Sequence, residues 1–225
     1  MHLNSINESV IEIRNSLPAG VLLVAAAKTR SPEEVQAAID SGIKILGYNY
    51  LQEAERIHQI IGNSVQWHMI GHLQRNKVKK AVDLFDMIET IDSIELAEEV
   101  NKRCATINKI MPVLIEVNSG KEMNKTGVLP EDVDKLIEQI SVLPNIHVQG
   151  LMTMGPVFGD PEDARPYFIA TKSAFDRLSK AGMPNVEMSY LSMGMSNSYK
   201  IAIEEGANII RIGTKLFGER SCKRY

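Results

Sequence analysis

Residues 21–29 read Val-Leu-Leu-Val-Ala-Ala-Ala-Lys-Thr. The apolar residues follow one another without polar alternation, the pattern of a parallel strand buried on both faces, and the run stops at a lysine. Further apolar runs lie at 43–47, 66–70, 85–91, 112–117, 146–151, 186–190 and 208–212. The segments between them have helical spacing. Val35, Ala38 and Ile39 make one stripe, Leu51, Ala54, Ile57 and Ile61 a second, Leu96, Val100, Cys104 and Ile107 a third, and Val133, Leu136, Ile137 and Ile140 a fourth. Ile6, Val10, Ile13 and Leu17 place one more helix ahead of the first strand. Eight strands alternating with helices predict an α/β fold: a single (β/α)8 TIM barrel with an extra N-terminal helix, occupying residues 1–225 as one domain. An open doubly wound sheet is the competing topology, but no G-x-G-x-x-G turn follows the first strand.

Local signals agree with this parsing. Ser31-Pro32-Glu33-Glu34 reads as a capping box with proline in the first helical turn. Gly42 and Gly62 stand where helices should end. The 225 residues carry 25 Lys and Arg against 28 Asp and Glu, a formal charge of -3, which argues against a nucleic-acid-coating role. No apolar run approaches the ~18 residues that span a bilayer, and the first residues do not read as a signal peptide. Cys104 and Cys222 are far apart and suggest neither a disulfide framework nor a zinc site, so a cytoplasmic location is expected.

In a barrel, chemistry gathers where strands end. Lys28 ends the first strand beside small apolar neighbours. Its stem either snorkels to solvent or holds a desolvated amine suited to Schiff-base chemistry. Arg211 interrupts the last strand and is costly there unless paired. Gly213 and Thr214 follow it, offering backbone N–H groups and a hydroxyl, and Leu191 to Asn197 forms a second loop of small and hydroxyl residues before a helix at 199–205. Loops after the seventh and eighth strands are where barrels frequently hold phosphate. Asn49, after the second strand, reads locally as a helix cap. His68 and His72 lie four apart in a strand-like stretch without a zincin glutamate, which disfavours a metal. Arg75, Lys77, Lys79 and Lys80 read as a solvated helix face. Met152, Met154, Met193 and Met195 read as packing, with Met152 able to touch a planar ligand. Glu116 is either a paired charge or an inward polar group.

The stretches AAAKT, YNYLQE, WHMIGHLQRNK, GLMTMGP, LSMGMSNSY and RIGTKLFGE, in that order from Val24 to Glu219, resemble the pyridoxal phosphate homeostasis protein family, a one-domain relative of the alanine racemase barrel domain. The resemblance implies that Lys28 forms an internal aldimine with pyridoxal 5'-phosphate. It implies that Arg211 faces the pyridine nitrogen and that Ser196, Gly213 and Thr214 bind the phosphate, with Ser192 and Met193 close by. It places Asn49 near the ring. The chain departs from the family where Tyr48 replaces a glutamate and where Ser198 replaces a frequent acidic residue.

An acidic partner on the pyridine nitrogen keeps it protonated and makes the ring an electron sink; an arginine opposes that. Related racemases also use a tyrosine from a second domain, for which the barrel leaves little chain. The expectation is a non-catalytic carrier in vitamin B6 homeostasis. It binds pyridoxal phosphate and passes it to apo-forms of pyridoxal-phosphate enzymes, with no nucleic acid or membrane as partner. The alternatives are an amino-acid racemase and a cofactor-free Schiff-base aldolase.

Overall fold

Eight parallel strands close on themselves in sequence order, β1 to β8, in the computed structural model, which describes residues 2–156 and 159–219. The strands are β1 (Leu22–Ala26), β2 (Ile45–Tyr48), β3 (Gln66–Met69), β4 (Met87–Ile91), β5 (Met111–Val117), β6 (Ile146–Thr153), β7 (Val186–Ser192) and β8 (Ile209–Ile212). Helix α1 (His2–Ser16) precedes them. The crossovers carry α2 (Pro32–Asp40), α3 (Leu51–Ile61), α4 (Val78–Leu84), α5 (Ile94–Ala105), α6 (Val133–Ser141), α7 (Arg165–Leu178) and α8 (Tyr199–Glu204), and α9 (Thr214–Phe217) follows β8. Every expected strand is present, with ends displaced by up to two residues. Thr214 opens α9 directly after β8.

Two apolar clusters explain the closure. Alternate strand residues face outward and pack under the helices, with Ile6, Val10 and Ile13 of α1 joining that layer. The other residues face inward: Val24, Ile45, Ile70, Met87, Leu114, Met152 and Ile209 fill the barrel itself. Both strand faces are therefore apolar, which is why the runs lack alternation. The helical stripes pack onto the outer layer as read, with Leu17, Ile39 and Ile61 only partly buried, while Ile107 lies past the end of α5 and is exposed.

Local chemistry sets the element ends. The Ser31 hydroxyl accepts from the Glu34 N–H while the Glu34 carboxylate accepts from the Ser31 N–H, completing the capping box ahead of α2. Gly150 on β6 has φ +148, and a Cβ there would collide with the Tyr190 carbonyl. The β6–β7 register shifts at this point, so the glycine lets two backbones meet where the sheet turns. Cys104 is buried in α5, and Cys222 lies outside the described residues.

Candidate functional site

The carboxyl ends of β7, β8 and β1 converge at the barrel mouth. Lys28 stands two residues past the end of β1 and is half-buried. Thr29, next to it, has φ 66, a conformation that costs a β-branched residue energy and that clusters at functional positions. Its N–H donates to Glu53 Oε2 at 3.3 Å. Arg30 then ties this loop to the far side of α9: it pairs with Glu34 at 3.2 Å, donates to the Gly218 carbonyl and lies 5.4 Å over the Phe217 ring.

Across from Lys28, Gly194 sits in the loop after β7 with φ +92, and a Cβ would come within 2.6 Å of Ala202 Cβ and 2.9 Å of Tyr199 Cα. Only glycine lets the loop lie this close to α8. Ser196 follows, and its hydroxyl accepts long hydrogen bonds, 3.3 Å each, from the N–H groups of Gly213 and Lys215. Gly213 rests on β1, where an added Cβ would lie 3.4 Å from the Ala26 carbonyl oxygen. Thr214, beside it, is exposed. Ser196, Gly213 and Thr214 are thus brought together within two residues of Ala26, next to Lys28.

Arg211 forms the floor of this sector. Its register partner on β1 is Val24, two residues below Ala26, and it is only 4% exposed. Nη1 donates to Ser192 Oγ at 2.5 Å and Nη2 to the Thr153 carbonyl at 2.9 Å. Glu89 Oε2 stands 3.9 Å from Nη1 and accepts from Ser192 Oγ at 2.6 Å, while Glu89 Oε1 lies 2.7 Å from His68 Nδ1. Burial alone would raise the Glu89 carboxyl, but His68, Arg211 and Ser192 outweigh it and hold it below the usual range as an anion. Glu116, on the inward face of β5, is different. Oε1 accepts from Thr126 at 3.0 Å, and Oε2 is buried with no hydrogen-bond partner among the described residues. Burial, with the Asp92 charge adding to it, pushes this carboxyl up against the opposing Thr126, Arg211 and His72.

The remaining sequence-derived residues fall in several places. Asn49 is at the mouth, half-buried, with Gly71 packed so closely on it that a Cβ would lie 2.5 Å from the Asn49 carbonyl oxygen. It is not the helix cap: Tyr50 holds that position, and no side chain caps α3. Met152 lies inside the barrel, consistent with packing under the mouth. Two further residues direct their side chains away from the loop. The Ser192 hydroxyl is committed to Arg211 and Glu89 in the interior, because inward alternation on β7 turns it away from the loop. The Met193 side chain belongs to the outer layer under the helices, since it is one residue out of phase with the interior. Tyr48 also faces outward, stacked on Trp67 at 5.6 Å, so the glutamate-to-tyrosine departure lies off the mouth. Ser198 is buried and accepts from the Met195 N–H. Arg75, Lys79 and Lys80 are exposed, as read, and His72 pairs loosely with Asp92 at 3.7 Å.

Glu89 and Thr153 were not singled out from sequence, and His68 was weighed only as a metal ligand. The signal for Glu89 was available: a lone carboxylate within Met87–Ile91 breaks an apolar strand just as Arg211 does, and two opposite charges in inward register form a pair.

The donor set suits a phosphorylated aldehyde. Two backbone N–H groups, held by a neutral hydroxyl at long distance, sit at the end of β8 beside Thr214, and Lys28 lies just past the end of the neighbouring β1. An anion's oxygen would accept those N–H groups more strongly than Ser196 does. This barrel and mouth define the class described as alanine racemase, N-terminal domain, whose family model matches residues 1–221. Solved alanine racemase from Clostridium difficile 630 superposes with a TM-score of 0.81 at 17% identity, covering 98% of this chain and 58% of that one, a likeness of fold. Within the class, the chain belongs to the pyridoxal phosphate homeostasis protein family. It is 44% identical over 199 residues to the pyridoxal phosphate homeostasis protein of Aquifex aeolicus, covering 88% of this chain and 86% of that protein. It is 36% identical over 202 residues to the Helicobacter pylori protein of that name, covering 88% of each. PipY of Synechococcus elongatus PCC7942, solved with PLP bound, superposes with a TM-score of 0.87 at 30% identity, covering 95% of this chain and all of that one.

Proposed function

We propose that this chain, over residues 1–225, is a single pyridoxal 5'-phosphate-binding barrel that acts in intracellular vitamin B6 homeostasis, and that it holds the cofactor and releases it rather than using it for turnover. The observation that carries the reading is the convergence of Lys28, the Ser196–Gly213–Thr214 cradle and the Arg211 floor in one sector of the mouth. Pyridoxal phosphate supplies an aldehyde that a lysine amine takes up covalently and reversibly. Lys28 is the amine placed for it. Gly213, Lys215 and Thr214 donate to the phosphate, and Ser196 yields its place between the two N–H groups. Asn49 borders the ring, and Met152 packs beneath it.

Arg211 explains why holding outweighs catalysis. A guanidinium has donors and no acceptor, so a ring nitrogen above it accepts a hydrogen bond and stays unprotonated. A cofactor ring held over Arg211 would then be a weak electron sink, so this residue would favour holding over α-hydrogen abstraction. The family's shared name, carried by the Aquifex aeolicus and Helicobacter pylori relatives, supports homeostasis as the role. The recipients we propose are apo-forms of pyridoxal-phosphate enzymes in the cytoplasm. No helix among the described residues is long and apolar enough to cross a membrane.

The test is borohydride reduction of protein loaded with pyridoxal phosphate, followed by peptide mass spectrometry. The expected result is one reduced pyridoxyl adduct on Lys28. An adduct spread over surface lysines, or none, overturns the proposal. Chiral analysis of amino acids after long incubation should show no racemisation above a Lys28→Ala control.

A further inference from the structure

Behind Arg211 runs a buried chain of polar groups that cofactor binding does not itself require. It begins at His68 on β3, passes through Glu89 on β4 and Ser192 on β7, and ends on Arg211 of β8, with the Thr153 carbonyl of β6 closing the far side. Each link has one permitted polarity. A carboxylate only accepts, so Ser192 must donate its single hydroxyl hydrogen to Glu89 and present a lone pair to Arg211. His68 Nδ1 likewise carries the proton in its bond to Glu89. Arg211 is thereby gripped at both ends of its guanidinium fork, and its charge is balanced in a place that solvent does not reach.

We infer that Glu89 is a positioning residue for Arg211: through Ser192 it fixes the plane and the charge of the guanidinium that the cofactor's ring nitrogen meets, and His68 fixes Glu89 in turn. The inference rests on the cofactor reading for its ring contact, while the clamp itself is built from the chain's own groups. The groups facing Arg211 support it from every side. Glu89 and Ser192 hold one nitrogen and Thr153 the other, and Glu116 of β5 is the other carboxyl whose charge reaches it. Strands β1 and β2 offer only Leu22, Val24, Ala26, Ile45 and Gly47 in inward register. Removing Glu89 therefore removes the anion that is hydrogen-bonded into the clamp, and nothing on β1 or β2 replaces it. A glutamine at the same place can turn its amide toward Ser192, reverse the hydroxyl and set two donors, Ser192 and Arg211, against each other.

The experiment uses the full chain with Glu89→Gln, Arg211→Gln, the double variant and Ser192→Ala. In ligand-free protein, the Arg211 side-chain N–H resonance, assigned by its loss in Arg211→Gln, should be a single sharp signal that shifts or broadens in Glu89→Gln. In protein loaded with pyridoxal phosphate, the borohydride-reducible visible band should move in the same direction in Glu89→Gln and Arg211→Gln. The double variant should move it no further than the larger single change, because both act through one contact. Ser192→Ala, which keeps every charge, should move resonance and band the same way by less, and it decides the matter if Glu89→Gln does not fold. An unchanged Arg211 resonance together with an unchanged band in a folded variant overturns the inference, as do additive shifts in the double variant. If the parent forms no adduct at Lys28, the cofactor reading fails, and the resonance arm still judges the clamp.

Discussion

The Ser196 hydroxyl accepts a hydrogen bond from the Gly213 N–H at 3.3 Å, which joins the loop after β7 to the loop after β8. The same oxygen takes the Lys215 N–H at 3.3 Å. A pair of donors held by a shared neutral acceptor is preorganised for a better one, so little ordering remains to be done on binding. Thr214 adds a hydroxyl at the solvent edge of this cradle. Thr214→Val keeps approximate volume and removes that donor. It should weaken pyridoxal phosphate by about 1.5–3 kcal/mol, the worth of a hydrogen bond to a charged group, and leave pyridoxal unchanged. Titration of both compounds against parent and variant checks this. Equal losses for the two would place Thr214 away from the phosphate.

Lys28 follows Ala27 and precedes Thr29, whose left-handed backbone is already strained. Lys28→Ala removes a half-buried side chain at a strand end and should leave cooperative unfolding close to that of the parent. It should abolish the borohydride-reducible visible band. Retention of an undiminished band in the variant would sink the assignment of the covalent site, whatever remained of phosphate binding.

Much of this architecture was legible in the chain because a parallel barrel writes itself as unbroken apolar runs. The strand 21–27 and the stripe of Ile6, Val10 and Ile13 both rest on burial of whole faces, and burial is what composition records. What the chain does not announce is phase. Ser192 and Met193 are adjacent, and the sequence motif treats them as one loop, but a strand sends neighbours to opposite faces. One went to the interior beside Arg211 and the other to the helices. Tyr48 faces outward by the same alternation. The Glu89–Arg211 pair joins residues 122 apart in sequence: each lone charge in an apolar strand is visible locally, but the partner it meets is not. It appears only once the barrel closes.

Gly71 tests how Asn49 is held. A Cβ at this position would lie 2.5 Å from the Asn49 carbonyl oxygen and 2.6 Å from its Cα, both rigid backbone atoms. The Thr90 hydroxyl also donates to the Gly71 carbonyl at 2.8 Å, so the strand end cannot simply move away. Gly71→Ala should therefore destabilise the fold by about 1–3 kcal/mol, the usual cost of overpacking. It should also push Asn49 outward and weaken pyridoxal phosphate binding. Chemical denaturation and ligand titration measure the two effects separately. A variant as stable as the parent would show that the contact between these strand ends is loose.

Glu116 gives a pH dependence of definite sign. Its carboxyl is raised in the folded protein, chiefly by burial, so the folded state binds this proton more tightly than the unfolded chain does. Stability from this group is complete below the unfolded value of about 4.3 and falls as pH rises from there through the folded value. Glu89 has the opposite sign, being depressed in the folded state, so its contribution is present above the unfolded value and is lost as pH falls through the folded one. Both groups act in the parent, and Glu116→Gln removes only the first. The variant keeps the shape of the neutral carboxyl and can still meet the Thr126 hydroxyl. Relative to the parent it should therefore gain stability progressively as pH climbs from about 4 toward neutrality, while at pH 3–4 the two should differ least. Denaturation midpoints for both proteins across that range supply the measurement. Parallel curves would mean that Glu116 ionises in the fold as readily as in the open chain, and that its unpartnered oxygen is met by a group that stabilises charge.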